Sequence, residues 1–447
     1  MTIAGSDSGG GAGIQADMKT FSALGVHGAC VIASVTSQNT TGVQSVYDIP
    51  VEHIGRQMDS VCSDMDIVFA KSGMLSSPEI VQYVAGKVKE YNLSLVVDPV
   101  MAAEAGGELL KKEAVKMMAE ALLPVSYAVT PNIFEAEILS GMKIKNADDA
   151  KAAAVKIAET GVKYVIITGG HLDAEDIVYD SKNKAYTMLS GTFVKGGTHG
   201  TGCTYSSSLV AYLARGYTFE QACKLAKKFV VDAILYSVSI GSGVAPVNPG
   251  GARSIRSERA AVIGNILEAW DILKADDTFP QLIPKVGTNI AMSLPDIFKE
   301  TIQPTYYASG IHPSQQVSFI DNMHHNIGDG FGSPDSAVAV FPKRIQQMKD
   351  QSGELSAENI GCPSFGSDAD LERIIQTAQE FDKTIHACIS LKWSEDLIKH
   401  CDQVGFSTFD IIYENCGKKE SLVHVLGTDA VNAANKVLMI CGSIRKS

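Results

Sequence analysis

Gly196-Gly-Thr-His-Gly-Thr-Gly-Cys-Thr204 runs directly into the apolar segment Tyr205 to Arg215, and this glycine-rich entry to a helix decides how the chain is read. A helix start leaves several backbone N–H groups without partners inside the helix, and glycines let a ligand come close to them, so the arrangement suits a phosphate group. The spacing Gly197-x-x-x-x-Gly202-Cys203-Thr204 comes near a P-loop. There a lysine should reach the transferred phosphate, and its replacement by cysteine argues against a true P-loop enzyme. A thiol at a helix start has its thiolate favoured by the local positive potential and can accept a proton. The plainer alternative is a small buried residue that begins the helix.

A second glycine loop, Ala4-Gly-Ser-Asp-Ser-Gly-Gly-Gly-Ala-Gly-Ile14, follows the strand candidate Thr2 to Ala4 and precedes a helix beginning near Ile14. Within it Gly11-Ala-Gly-Ile-Gln-Ala16 fits the loose dinucleotide pattern G-x-G-x-x-A, which also needs a ribose-binding acid at the end of the next strand. That strand ends Ser34-Val-Thr-Ser-Gln38 without a carboxylate, so a nicotinamide or flavin enzyme is disfavoured.

Outward from the loops, the apolar runs Cys30 to Val35, Ile67 to Ala70, Leu93 to Val97, Tyr127 to Thr130 and Tyr164 to Thr168 alternate with helical segments such as Ala114 to Leu123 and Ala147 to Glu159. Such alternation predicts an α/β fold with a mostly parallel sheet flanked by helices. The Gly- and Pro-rich stretch from Gly241 to Ala252 ends this domain, placed at residues 1–250. A helix restarting near Ser257 opens a second, smaller α/β domain at 255–447, with strand candidates Ala337 to Phe341, Asp410 to Tyr413 and Leu422 to Leu426.

The net charge of −12 provides no positive field for nucleic acid or an acidic membrane, while local amides can still bind small phosphorylated ligands. Nine scattered cysteines without C-x-x-C spacing argue against a zinc site or disulfide scaffold. With no long apolar run and no leader-like opening, a reducing, cytoplasmic setting is expected.

Several segments fall in one order: Ala4 to Thr20, Gln38-Asn-Thr40, Lys71-Ser-Gly-Met-Leu75, Asp98-Pro-Val-Met101, Thr130-Pro-Asn-Ile-Phe-Glu135, Gly169-Gly-His171 and His199-Gly-Thr-Gly-Cys203. Together they resemble hydroxymethylpyrimidine phosphate kinase. The resemblance implies a ribokinase-like fold, a homodimer, and ATP- and Mg²⁺-dependent phosphorylation of 4-amino-5-hydroxymethyl-2-methylpyrimidine and of its monophosphate. Matching positions imply Cys203 as the base and the amides of Gly200, Thr201 and Gly202 as an anion hole. They further imply Gly5, Asp17, Gln38 and Met74 at the pyrimidine, Asn132, Thr168 and Gly170 at the nucleotide, and Asp98 and Glu135 at the metal.

Read singly, these residues have plainer roles: Asp17 as a first-turn acid, Gln38 as a turn residue, Met74 as core, Asp98 or Glu135 as caps. His199 and His171 fit backbone-orienting or nucleotide-stacking roles as well as acid–base chemistry. The chain departs from the family at Thr168 and Glu104, where lysine is usual, and at Gly197, where asparagine is usual.

Residues 255–447 resemble a thiamin phosphate synthase domain through Val286-Gly-Thr-Asn-Ile-Ala291, Leu294-Pro295, Ile360-Gly-Cys-Pro-Ser-Phe-Gly366, Asp410-Ile-Ile-Tyr413 and Val425-Leu-Gly427. A diphosphate leaving group needs cationic or amide support, and Asp368 and Asp370 stand where the family carries histidine and arginine, which argues against synthase activity. Catalysis and a ligand-sensing role remain the two alternatives. His312, His324 and His325, near Asp321 and Asp329, fit no metal-ligand template and read as solvated.

Overall fold

The computed structural model describes residues 1–101, 112–169, 174–285, 287–295, 338–340, 346–349, 355–358, 363–365, 369–406, 410–414 and 421–446. They separate into two compact units, Met1–Arg253 and Ser254–Ser447.

In the first unit nine strands form one sheet: β1 Thr2–Asp7, β2 Cys30–Asn39, β3 Gly42–Asp48, β4 Phe69–Ser72, β5 Ser94–Val97, β6 Ala128–Val129, β7 Tyr164–Ile167, β8 Asp176–Asp180 and β9 Ala185–Leu189. Their order is β3-β2-β1-β4-β5-β6-β7-β8-β9. The strands from β2 to β7 pair in parallel, while β3, β8 and β9 add antiparallel hairpins at the two ends.

The central strands read as unbroken apolar runs because helices cover both faces. Ile3, Val31, Leu95, Val97 and Val165 pack on one side with residues of α2 Val51–Cys62, α3 Pro78–Glu90, α4 Lys112–Met117, α5 Ile133–Ser140 and α6 Ala147–Ala158. Val96, Ala128 and Ile166 face the other side, with α1 Gly13–Ala23, α7 Thr201–Ala214 and α8 Phe219–Leu235. The helix expected over Ala114 to Leu123 instead passes from α4 into a π turn at Met118–Leu122 and a 3₁₀ turn at Leu123–Val125. Pro124 accounts for the tightening, since it lacks the N–H that a continued α-helix requires.

The next helix, α9 Gly251–Lys274, begins within the last three residues of the first unit and so starts earlier than the expected Ser257. An antiparallel sheet follows, built from β10 Ile290–Ser293, β11 Val338–Val340, β14 Ser364–Phe365, β15 Ala387–Lys392, β16 Ile411–Glu414 and β17 Leu422–Gly427 in the order β14-β11-β10-β15-β17-β16. β12 Gln346–Lys349 and β13 Leu355–Glu358 make a separate ribbon. Leu371, Ile375 and Ala378 of α10 Ala369–Phe381 pack on Ala291, Cys388 and Leu426. The remaining helices are α11 Glu395–Gln403 and α12 Ala430–Ile444.

Candidate active site

β1 lies between β2 and β4, so the winding of the sheet reverses there, and the loops leaving the carboxyl ends of these strands diverge to open a crevice. The predicted residues gather along this edge. Gly5 lies near the end of β1 and Gln38 near the end of β2; Met74 follows β4 and Asp98 follows β5. Asn132 and Glu135 begin α5 after β6, Thr168 follows β7, and Gly200 to Cys203 open α7. Gly170, His171, Glu104 and the histidines 312, 324 and 325 lie outside the described residues.

Gly200 is the N-cap of α7 with φ +85°, and a Cβ there would sit 1.9 Å from the Gly11 carbonyl oxygen, so only glycine fits. No side chain caps this helix and its first turn holds no acid, which leaves its positive end uncompensated. The Thr201 amide is turned back on the Thr198 carbonyl at 3.0 Å. The exposed Gly202 and the buried Cys203 therefore supply the outward first-turn donors.

Cys203 is 8% exposed, and the charges of Lys71, Asp98 and Asp17 act on its thiol. Burial pushes the thiol up to about 12; Lys71 and the Gly13 amide oppose the shift, and Asp98 and Asp17 add to it. This corrects the expectation from sequence that the helix start alone favours thiolate: burial with two carboxylates outweighs the helix end. Iodoacetamide at pH 7.5 should therefore alkylate Cys203 on the order of 100-fold more slowly than free cysteine, as peptide mass spectrometry would show. Reaction at the rate of free cysteine would contradict the buried thiol.

Beneath Cys203 lies a fully buried ion pair. Lys71 Nζ donates to Asp17 Oδ1 at 2.9 Å and Oδ2 at 3.1 Å, and lies 3.6 Å from Asp98 Oδ2. Burial acts to lower the lysine, yet Asp17, Cys203 and Asp98 hold it above its usual range. Thr2 Oγ1 donates to Asp17 Oδ2 at 2.6 Å, and Ser207 Oγ donates to Oδ1. Asp17 thus has its carboxylate committed beneath the site. Met74, 7% exposed, is buried with Gly5, whereas Gln38 is half-buried with its amide nitrogen 3.3 Å from His199 Nε2.

Asp98 accepts from Ser206 Oγ at 3.2 Å, and burial raises its carboxyl against the pull of Lys71. Glu135 completes a capping box with Asn132 and accepts from the Met101 amide at 3.3 Å. Burial, then the charge of Asp98, pushes it up to about 7. Thr168 bridges to Asn132, and beside it the Gly169 amide donates to Asp176 Oδ1 at 2.9 Å. Lys227 of α8 reaches the same oxygen at 2.7 Å. Lys227 also lines an open cleft of about 400 Å³ with Ser190, Gly191, Thr192, Lys224 and Val231.

Sequence reasoning passed over Asp7, Lys71, Asp176 and Lys227. Lys71 offered a signal, a single lysine continuing the apolar run Ile67 to Ala70. Asp7 fills the first glycine loop, accepting from the amides of Gly9, Gly11 and Ala12 at 2.8, 3.0 and 2.8 Å. An internal carboxylate thus occupies the amides that a dinucleotide pyrophosphate would need.

In the second unit Ser390 Oγ lies 3.0 Å from His424 Nδ1 within the sheet, and Ile360 to Cys362 and Gly366 to Asp368 fall outside the described residues. Among the described residues no group of three or more His, Cys, Asp or Glu side chains could hold a metal, no disulfide joins the cysteines, and no helix is long and apolar enough to cross a membrane.

Comparison with known proteins accords with this geometry. The hydroxymethylpyrimidine/phosphomethylpyrimidine kinase of Bacillus subtilis is 43% identical over 254 residues, 56% of this chain and 93% of that one. The thiamine biosynthesis bifunctional protein ThiED of Geobacter sulfurreducens is 41% identical over 252 residues, 56% of this chain and 51% of that protein. Among solved structures, the pyridoxal kinase of Staphylococcus aureus in complex with ADP superposes with a TM-score of 0.53 at 35% identity, covering 57% of this chain and 94% of that one. Residues 332–414 match the thiamine-phosphate synthase ThiN family. Residues 7–248 match the phosphomethylpyrimidine kinase family across the glycine loops, the buried lysine and the α7 start, and the chain belongs to that family.

Proposed function

We propose that the first unit transfers the γ-phosphoryl group of ATP to the hydroxymethyl oxygen of 4-amino-5-hydroxymethyl-2-methylpyrimidine, and then phosphorylates the monophosphate to the diphosphate for thiamin biosynthesis. The observation that carries this reading is the uncapped α7 start, which puts phosphate-binding amides and the Cys203 sulfur within one turn.

Phosphoryl transfer asks chiefly for positioning and for stabilisation of charge on the equatorial oxygens. The first-turn amides of α7 supply the stabilisation, with Gly200 and Thr201 shaping the turn. As a thiolate, Cys203 receives the hydroxyl proton as the oxygen–phosphorus bond forms and ADP leaves; Lys71 beneath it favours that ionised form and burial opposes it. Gln38 and Met74 border the pyrimidine, with Gly5 beneath Met74, while Asp17 holds the floor through Lys71.

Asn132 and Thr168, bridged to one another, form the nucleotide side with the segment that includes Gly170. Asp98 and Glu135 fit Mg²⁺, which takes one or two carboxylates and fills its shell with water and phosphate oxygens. Both carboxylates stand above their usual range, a charge that a divalent cation relieves. Bound there, the ion would neutralise charge on the nucleotide phosphates. A homodimer in a reducing, cytoplasmic compartment completes the reading, and the family resemblance supports it.

For the second unit we propose a synthase-like domain without synthase activity, on the acidic residues Asp368 and Asp370. Incubating the full chain with ATP, Mg²⁺ and the pyrimidine alcohol, then adding thiazole phosphate, tests both halves by mass spectrometry. Mono- and then diphosphate should appear without thiamin phosphate. Absence of any phosphorylated pyrimidine would overturn the kinase reading, and formation of thiamin phosphate would overturn the reading of the second unit.

A further inference from the structure

Two glycine loops separated by most of the first unit meet at one pair of side chains. The Asp7 oxygen that accepts from Gly11 and Ala12 lies 3.2 Å from His199 Nε2, and the two residues are 3% and 6% exposed. Burial acts to raise the Asp7 carboxyl, but His199 and the amides of Ala12 and Gly9 outweigh it and hold the group ionised. Nε2 lies between this carboxylate and the Gln38 amide nitrogen, which is 3.3 Å away, and of the two only the ionised carboxylate is confined to accepting a proton from it.

His199 is fixed from behind as well: its N–H donates to the Ala245 carbonyl at 3.2 Å, and its own carbonyl accepts from Val247 at 3.0 Å. It directly precedes Gly200, which is seated against the Gly11 carbonyl. The first loop ends at Gly13, in the left-handed region at φ +56°, where a Cβ would sit 2.4 Å from the Gly5 carbonyl oxygen. A shift of the first loop therefore moves the Gly11 carbonyl on which Gly200, the N-cap of α7, is seated.

We propose that the Asp7–His199 hydrogen bond is a positioning latch for phosphoryl transfer, holding the first glycine loop against the α7 start so that the Gly202 and Cys203 amides keep their place beside the Cys203 sulfur. The proposal rests on the kinase reading above. It assigns neither residue to proton transfer, and both act through the amides they place.

The test is steady-state kinetics of the full chain with ATP and the pyrimidine alcohol, alongside unfolding midpoints and ADP affinity by calorimetry. His199→Ala should lower kcat about 100-fold with the KM for ATP changed by less than about threefold, as expected when preorganised donors are displaced but ground-state binding is kept. His199→Gln places an amide nitrogen near the lost Nε2 and should recover about tenfold of that rate. The double variant Asp7→Ala/His199→Ala should be no slower than Asp7→Ala alone, because one bond is broken once.

Should His199→Ala fail to fold, Asp7→Asn carries the same test: it keeps the side-chain shape, removes one acceptor oxygen and should likewise lower kcat with the KM for ATP preserved. Turnover near the wild-type value in a folded His199→Ala or Asp7→Asn protein would overturn the latch alone, as would His199→Gln being as slow as His199→Ala. Absence of turnover in the wild-type chain would overturn the kinase reading and the latch with it.

Discussion

Cys203→Ala is expected to lower kcat by about 10²- to 10⁴-fold, the contribution of a positioned general base, while the chain still binds ADP with near wild-type affinity. The separation follows from the geometry. The α7 amides that would hold phosphate belong to the backbone and survive the substitution, whereas the sulfur is the group proposed to take the hydroxyl proton. Removing the thiol leaves the Gly200 N-cap and the Thr201–Thr198 bond that shape the helix start. Rapid-quench and steady-state kinetics with calorimetric ADP titration would measure both quantities. An unchanged kcat would take Cys203 out of the mechanism, and lost ADP binding would mean that the substitution had disturbed the helix start itself.

The second large effect is on stability. Lys71 and Asp17 both have fully buried side chains, and removing one partner of a buried ion pair costs about 3–5 kcal/mol because the other charge is left without compensation. Lys71→Met should therefore lower the unfolding midpoint of the first unit by on the order of 10 °C, at roughly 2–4 °C per kcal/mol for a domain of this size. With two units in the chain the melt need not be a single transition, and the one that ADP shifts upward identifies the kinase unit. Lys71→Met/Asp17→Leu, which removes both charges, should recover much of the loss. A single variant as stable as the wild type would show that the pair is not buried as described.

The parallel core was legible because its strands are covered on both faces, so β1, β2 and β4 to β7 stand out as short apolar runs between helices. β3 was not: most of it is exposed, and it extends the sheet as the outer half of a hairpin on β2. β8 and β9 form a similar antiparallel hairpin at the far edge, with no helix between them to mark the strands by alternation.

At the site, the glycine loops announced themselves through composition, and Cys203 through its place in one of them. The protonation of that cysteine could not be read there. It depends on burial and on Asp17 and Asp98, brought beneath the sulfur from two other segments of the chain. Lys71 and Asp17, 54 positions apart, look in the sequence like a strand-end cation and an exposed helix acid, and become partners only when β4 and α1 are in place. Asp7 and His199 are separated still further, by 192 positions.

A crystal structure of the full chain with a non-hydrolysable ATP analogue and the pyrimidine alcohol would test the phosphoryl site at the start of α7 most directly. The γ-phosphate should lie within hydrogen-bond distance of the Gly202 and Cys203 amides, with the hydroxymethyl oxygen next to the Cys203 sulfur. A phosphate bound instead at the Gly9 to Ala12 loop in place of the Asp7 carboxylate, or a pyrimidine hydroxyl far from the sulfur, would contradict it.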